Sequence, residues 1–167
     1  MTLQALWAAL ETSPLGDFVA SSSWAFPALE SAHVVAIVTV VGTVAIMDLR
    51  LLGLASTSWT MTQMTRDTLR WTWAAFVVSV ITGTLLFVSK AHIYAEEPWF
   101  LAKLTLIAVA GVNMAIFHVL SWRNVADWDS DRAAPMSGKI AGGLSLALWL
   151  VAIFCGRWIG FTLGHYE

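Results

Sequence analysis

The chain has 167 residues, 58% of them hydrophobic and 12% charged, against about 25% charged in soluble domains. With ten Trp as well, that balance points to an integral membrane protein. A net charge of −2 with no basic tract excludes a nucleic-acid partner. The single cysteine, Cys155, excludes an internal disulfide or thiolate metal cluster and reads as a small apolar packing residue.

The chain begins with a segment expected to lie on the membrane surface. Leu3, Leu6, Trp7 and Leu10 share one helical face, and Glu11 follows; this is the pattern of a short interfacial helix. No basic n-region precedes these residues, so no cleavable signal peptide is expected. Ser13-Pro14 reads as an N-cap with Pro at the first helical position, starting a second short turn over 15–20. Ser21-Ser22-Ser23 is a hinge that ends this interfacial segment, 1–26.

Four apolar spans follow at about 27–52, 69–92, 98–122 and 138–162, each long enough to cross roughly 30 Å of hydrocarbon. The expected fold is one all-α membrane domain: an integral four-helix bundle with short N-terminal interfacial helices. The third connection, with Asp127, Asp129, Asp131 and Pro135, reads as a solvated loop. Arg50, Arg66, Arg70, Arg123, Arg132 and Lys139 lie at the first and third connections; Lys90, Lys103 and Arg157 lie on the other side. By the positive-inside rule, the protein is expected in a bacterial inner membrane with both termini and the second connection in the periplasm. Ser137, Gly138, Ala141, Gly142 and Ser145 form a run of small residues on the fourth span. Such runs let helices approach closely, within the bundle or between subunits, and a homo-oligomer is expected. Gly42, Gly83 and Gly111 lie mid-span in the other helices, either for packing or as room for a flat cofactor.

Ionisable side chains inside a span are costly and mark sites. His33 stands six positions into the first span and Lys103 five into the third; Arg157 stands about five from the outer end of the fourth. Lys90 and His92 end the second. At about 1.5 Å per residue they fall within roughly 10 Å of depth, so all four helices supply one outer polar layer. An imidazole beside several cations suits haem b, with iron on His33 and Lys or Arg on the propionates. His92 is the candidate second metal ligand, and His165 in the tail a weaker one. Glu30, one turn before His33, is read as a charge favoured by the helix dipole or as the acceptor that fixes the His33 tautomer. Each residue also has a plainer reading. His33 can be a hydrogen-bonded core histidine, Lys103 and Arg157 can snorkel to headgroups, and His92 can be an exposed end residue. His118, near the inner end of the third span, lies roughly 20 Å deeper than His33. It would need its own cofactor with Met47 or Met114, or it hydrogen-bonds near Asp48 or Asn113.

The run from His33 through Gly42 to Arg50 resembles the first helix of the bacterial four-helix membrane protoporphyrinogen oxidases. Trp99-Phe100-Leu101-Ala102-Lys103, running on to His118, is similar to their aromatic-to-Lys helix ending near a His. Copper-resistance D-type membrane domains share the first pattern. Asp48-Leu49-Arg50 stands here where the oxidases have Leu-Pro-Arg. A closer group of uncharacterised bacterial membrane proteins shares Asp48-Leu49-Arg50-Leu51-Leu52-Gly53 and Gly156-Arg157-Trp158-Ile159-Gly160-Phe161. The resemblance covers roughly half of the chain. It implies haem b, with His33 as ligand and Lys103 essential.

The expected function is therefore a b-type haem protein in electron transfer or redox chemistry at the periplasmic face. Membrane lipid surrounds it, and quinol or a periplasmic protein is its redox partner. A haem-dependent membrane oxidoreductase is compatible with this, and no reaction is assigned. Two other readings stay open: a copper or other metal-handling transport protein using Glu30, His33 and His92, and a cofactor-free assembly subunit.

Overall fold

The computed structural model describes residues 2–129 and 133–163. Among them there is no strand. Two short helices, α1 (Leu3–Glu11) and α2 (Pro14–Ser21), precede the long α3 (Ala25–Leu52) and α4 (Met61–Ser89). A short α5 (Ala91–Glu96) leads into α6 (Pro98–Leu120), a 3-10 turn at Trp122–Asp127 and finally α7 (Met136–Leu163). The long helices have 28, 29, 23 and 28 residues, or about 35 to 44 Å at 1.5 Å per residue. Only 28%, 22%, 17% and 22% of their most apolar windows is buried inside the protein. The remaining apolar surface suits lipid and not water. The chain is a multi-pass membrane bundle.

The caps explain where these helices start and stop. Ser13 accepts from the Gly16 N–H at 3.1 Å, with Pro14 at the first helical position, as expected. Thr60 caps α4 by accepting from the Gln63 N–H at 3.1 Å. That cap starts α4 at Met61 and not at 69, because the polar first turns are helical outside the apolar window. At its far end the backbone leaves the helical region at Lys90 (φ −145°, ψ 47°). Lys90 and His92, expected at the end of the second span, therefore fall at a break and on α5. Gly53, at φ +76°, closes α3 in a left-handed turn, with the Leu54 N–H donating to the Leu49 carbonyl at 2.9 Å.

α3 and α7 pack together as the middle pair, α4 flanks α3 and α6 flanks α7. Among the described residues α4 and α6 make no extended backbone contact. The small residues of α7 serve the α3 crossing: a Cβ on Gly142 would lie 3.1 Å from the Asp48 carbonyl oxygen and from Leu51 Cβ. Asn113 on α6 donates to the Ala141 carbonyl at 2.9 Å, and Thr72 on α4 donates to Thr43 on α3 at 2.8 Å.

The third connection is exposed at Arg123, Asn124 and Asp127, as its aspartates suggest, and packs against the bundle at Trp128. Trp128 is buried with Leu51, Met61, Phe117, Ala134 and Ala141. Buried Arg50 donates from Nε to the Trp59 carbonyl at 2.8 Å and from Nη2 to the Asp129 carbonyl at 3.4 Å. The Asp129 carboxylate accepts from the Thr62 N–H at 3.0 Å. Two connections are thus stapled under the inner end of the bundle; Asp131 and Arg132 lie outside the described residues. The outer end is closed by rings: Trp7 meets Phe87 edge-on at 5.6 Å, and Phe87 stacks on Phe100 at 5.5 Å beside Tyr94.

Candidate functional site

His33 leaves α3 toward Thr82 and Gly83 on α4. Its Nδ1 lies 2.9 Å from Thr82 Oγ1. The Thr82 hydroxyl donates to the Val78 carbonyl one turn back, at 2.7 Å. A hydroxyl has a single proton: with it on the Val78 carbonyl, the Thr82 oxygen accepts from Nδ1–H and Nε2 keeps the lone pair, and with it on Nδ1 the roles reverse. The ring is seated on glycine, since a Cβ at Gly83 would lie 2.9 Å from His33 Cε1. Gly83 therefore makes room for the imidazole itself.

Lys103 comes from α6, and its stem runs along Gly156 of α7, where a Cβ would lie 3.6 Å from Cδ, Cε and Nζ. Its ammonium is within electrostatic range of His33. Each long helix thus contributes to one outer layer: His33, Thr82 with Gly83, Lys103 and Gly156.

The other expected members stand apart. Glu30 is exposed and does not hold His33; Thr82 does. The charge of Glu30 instead reaches the Tyr94 phenol, whose pKa lies above the ordinary 10.0 because of burial first and that carboxylate second. His92 is exposed, and its backbone N–H donates to Glu11 Oε1 at 2.9 Å, which ties α5 to α1. Arg157 is exposed, with its guanidinium 5.2 Å from the Phe161 ring centroid. Lys90 lies 5.9 Å from the Phe26 centroid. His165 lies outside the described residues. Among the described residues no three His, Cys, Asp or Glu side chains converge as a metal-binding group.

The inner half holds a different feature, a cavity of about 190 Å³ lined by all four long helices. His118 stands at its edge, with Nδ1 2.9 Å from the Met114 carbonyl of its own helix. Neither Asp48 nor Asn113 is its partner. Met47 and Met114 line the same cavity. Asp48, buried on α3, has the Ser145 hydroxyl of α7 beside its carboxyl. Its Oδ2 and the Thr65 hydroxyl are buried without a hydrogen-bond partner.

Sequence reasoning passed over Thr82 and Thr65 and read Ser145 only as a small packing residue. The signal at Thr82 and Ser145 was a hydroxyl in the apolar part of a span, and hydroxyls there usually bond their own helix; Thr65 fell before the span. No family model matches the chain, and no curated protein or solved structure matches it significantly.

Proposed function

We propose that the protein is a b-type haem-binding membrane protein, in electron transfer or redox chemistry at the periplasmic side of a bacterial inner membrane. The observation that carries this reading is the seat of His33, whose Nδ1 meets Thr82 Oγ1 of the next helix at 2.9 Å. With the Thr82 proton on the Val78 carbonyl, Nδ1 carries the hydrogen and Nε2 is the nitrogen that would take a metal. A histidine whose other nitrogen is held by a neighbouring hydrogen bond is the usual arrangement for a metal ligand. Lys103 supports the same reading as the countercharge for a propionate.

His33 and Lys103 supply the two donor types the group needs, an imidazole and a cation, while Arg157 is exposed over Phe161. His33 would hold the iron and Lys103 a propionate; bound haem would supply a one-electron couple. The chain's own part is to fix the imidazole between Thr82 and Gly83 and to hold one cation in the apolar layer. The resemblance of the His33-to-Arg50 and Trp99-to-Lys103 runs to the membrane protoporphyrinogen oxidases points the same way. The Lys/Arg excess at the inner connections supports periplasmic termini.

A visible spectrum of detergent-purified protein, oxidised and then reduced, tests the proposal. A Soret band that sharpens and shifts on reduction is expected. Protein that folds and carries no Soret band after expression with ample haem overturns it and leaves the metal-handling and assembly-subunit readings. Reporter fusions at Glu167 and near Asp129 should report opposite sides of the membrane.

A further inference from the structure

We infer that the cavity in the inner half of the bundle is a second site, which takes a lipid-soluble aromatic molecule bearing a hydroxyl group, a phenol or hydroquinone, from the membrane between α4 and α6. The site lies fifteen residues along α3 from His33, from 33 to 48, or about 22 Å, so it is separate from the proposed haem site and goes beyond that reading.

Four observations define the occupant. The first is unsatisfied polarity. Asp48 is only 6% exposed, and its Oδ2 has no hydrogen-bond partner; Thr65 Oγ1 is orphaned in the same way. An unpartnered polar atom in an apolar interior costs about 1–3 kcal/mol, and such groups are retained where something else completes them. Thr65 stands out because Thr68 and Thr72, further along the same helix, both have acceptors, the Met64 carbonyl at 2.8 Å and the Thr43 hydroxyl at 2.8 Å. The second is the wall: Trp73, Phe76, Phe117 and Trp149 supply ring surface around these few polar atoms, the usual composition of a small-molecule site. The third is size. An apolar cavity of about 150 Å³ admits benzene, and this one, at about 190 Å³, takes a substituted single ring. The fourth is access. α4 and α6 both line the cavity yet make no extended backbone contact among the described residues. The route in is therefore lateral, from lipid, because Arg50, Trp128 and Asp129 staple the connections under the inner end.

A hydroxyl is the head group that fits both orphans. It donates to an ionised Asp48, accepts from a protonated one, and pairs with Thr65 in either role. An acyl chain would fill the volume and leave both oxygens unsatisfied.

Native mass spectrometry of the intact protein, released from detergent after titration with decylhydroquinone, tests the assignment. One saturable adduct is expected, and decylbenzene, which lacks the hydroxyls, should not form it. Asp48→Leu should weaken the adduct about tenfold, the loss of a hydrogen bond to a buried carboxyl. Gly111→Leu should block it by filling space, since Gly111 lines the cavity and a Cβ there meets nothing within 4 Å. If Asp48→Leu does not fold, Gly111→Leu carries the test alone. Equal binding of decylbenzene, equal binding by wild type and Gly111→Leu, or a co-purified phospholipid that decylhydroquinone cannot displace would each overturn the proposal. Haem content is read from the same samples. A hydroquinone adduct on haem-free protein supports this site and removes the haem reading alone. Haem-loaded protein without an adduct does the reverse.

Discussion

His33 and His118 look alike in the sequence, each a lone histidine inside an apolar helix, and both use Nδ1 to meet an oxygen at 2.9 Å. The oxygens differ in origin. His118 bonds the Met114 carbonyl of its own helix, an arrangement α6 would keep in any bundle. His33 bonds a side chain on another helix and is seated on a glycine of that helix. Its ring is therefore fixed by tertiary structure, and an atom bound to Nε2 would meet a rigid ligand. The His118 ring is exposed at the edge of a cavity whose unsatisfied groups are Asp48 and Thr65. The two rings differ in whether the Nδ1 contact crosses between helices, and the proposed ligand is the one whose contact does.

The sharpest way to break that comparison is to remove each ring. His33→Ala should abolish or nearly abolish bound haem while leaving a folded membrane protein, whereas His118→Ala should leave the outer haem spectrum intact. Soret absorbance per mole of purified protein measures both. A full, unshifted band in His33→Ala would move the haem to the inner layer around His118.

The next effect concerns the ends of the bundle. Trp128 fills the inner cluster with Leu51, Met61 and Phe117, so Trp128→Ala should destabilise the protein by about 3–5 kcal/mol. It should also loosen the floor beneath Asp48. Trp7→Ala at the outer end removes one edge contact of a half-buried ring and should cost less. Thermal melting in detergent ranks the two variants. The reverse order would mean that the outer aromatic cluster, and not the stapled connections, holds the four helices together.

The four spans and the two short N-terminal helices were legible because length, hydropathy and caps define a helix, and His33 and Lys103 stood out as costly groups inside apolar runs. Rotation about each helix axis was not. These helices are apolar toward both lipid and core, so no stripe says which face meets a neighbour. For that reason Glu30, close to His33 along the chain, was the visible candidate partner, and Thr82, 49 residues away, was not. The start of α4 was hidden for another reason. Hydropathy finds the part of a helix inside the membrane, and the Thr60 cap lies outside it. The packed end of the third connection was hidden by its aspartates, because Asp129 spends its carboxylate on the Thr62 N–H.

A smaller effect tests how His33 is held. Thr82→Val keeps the shape and removes the oxygen, so Nδ1 loses its hydrogen-bond partner. Haem affinity should fall about 10–100-fold, the usual cost of losing such a partner, and the reduced-minus-oxidised midpoint should shift. Thr84, exposed on the same helix and bonded to the Val80 carbonyl, is the control: Thr84→Val should change neither. Identical behaviour of the two variants would leave His33 without an anchor at Thr82.

The smallest effect belongs to Tyr94 and appears only at alkaline pH. In the folded protein its phenol is held above 10.0, by burial first and by the Glu30 carboxylate second. Below the unfolded value both states keep the proton, so Tyr94 adds no pH dependence there. As pH rises past that value the unfolded chain releases its proton while the folded one retains it. The folded state then binds more protons, and stability falls with rising pH until the folded phenol also ionises. The slope cannot exceed about 1.4 kcal/mol per pH unit for one group. Tyr94→Phe has no proton to release, so its melting temperature should track wild type at neutral pH and exceed it increasingly above the ordinary tyrosine range. Glu30→Gln should narrow that gap without closing it, since burial is the larger cause. Parallel melting curves for wild type and Tyr94→Phe across the alkaline range would mean that the phenol ionises as freely folded as unfolded.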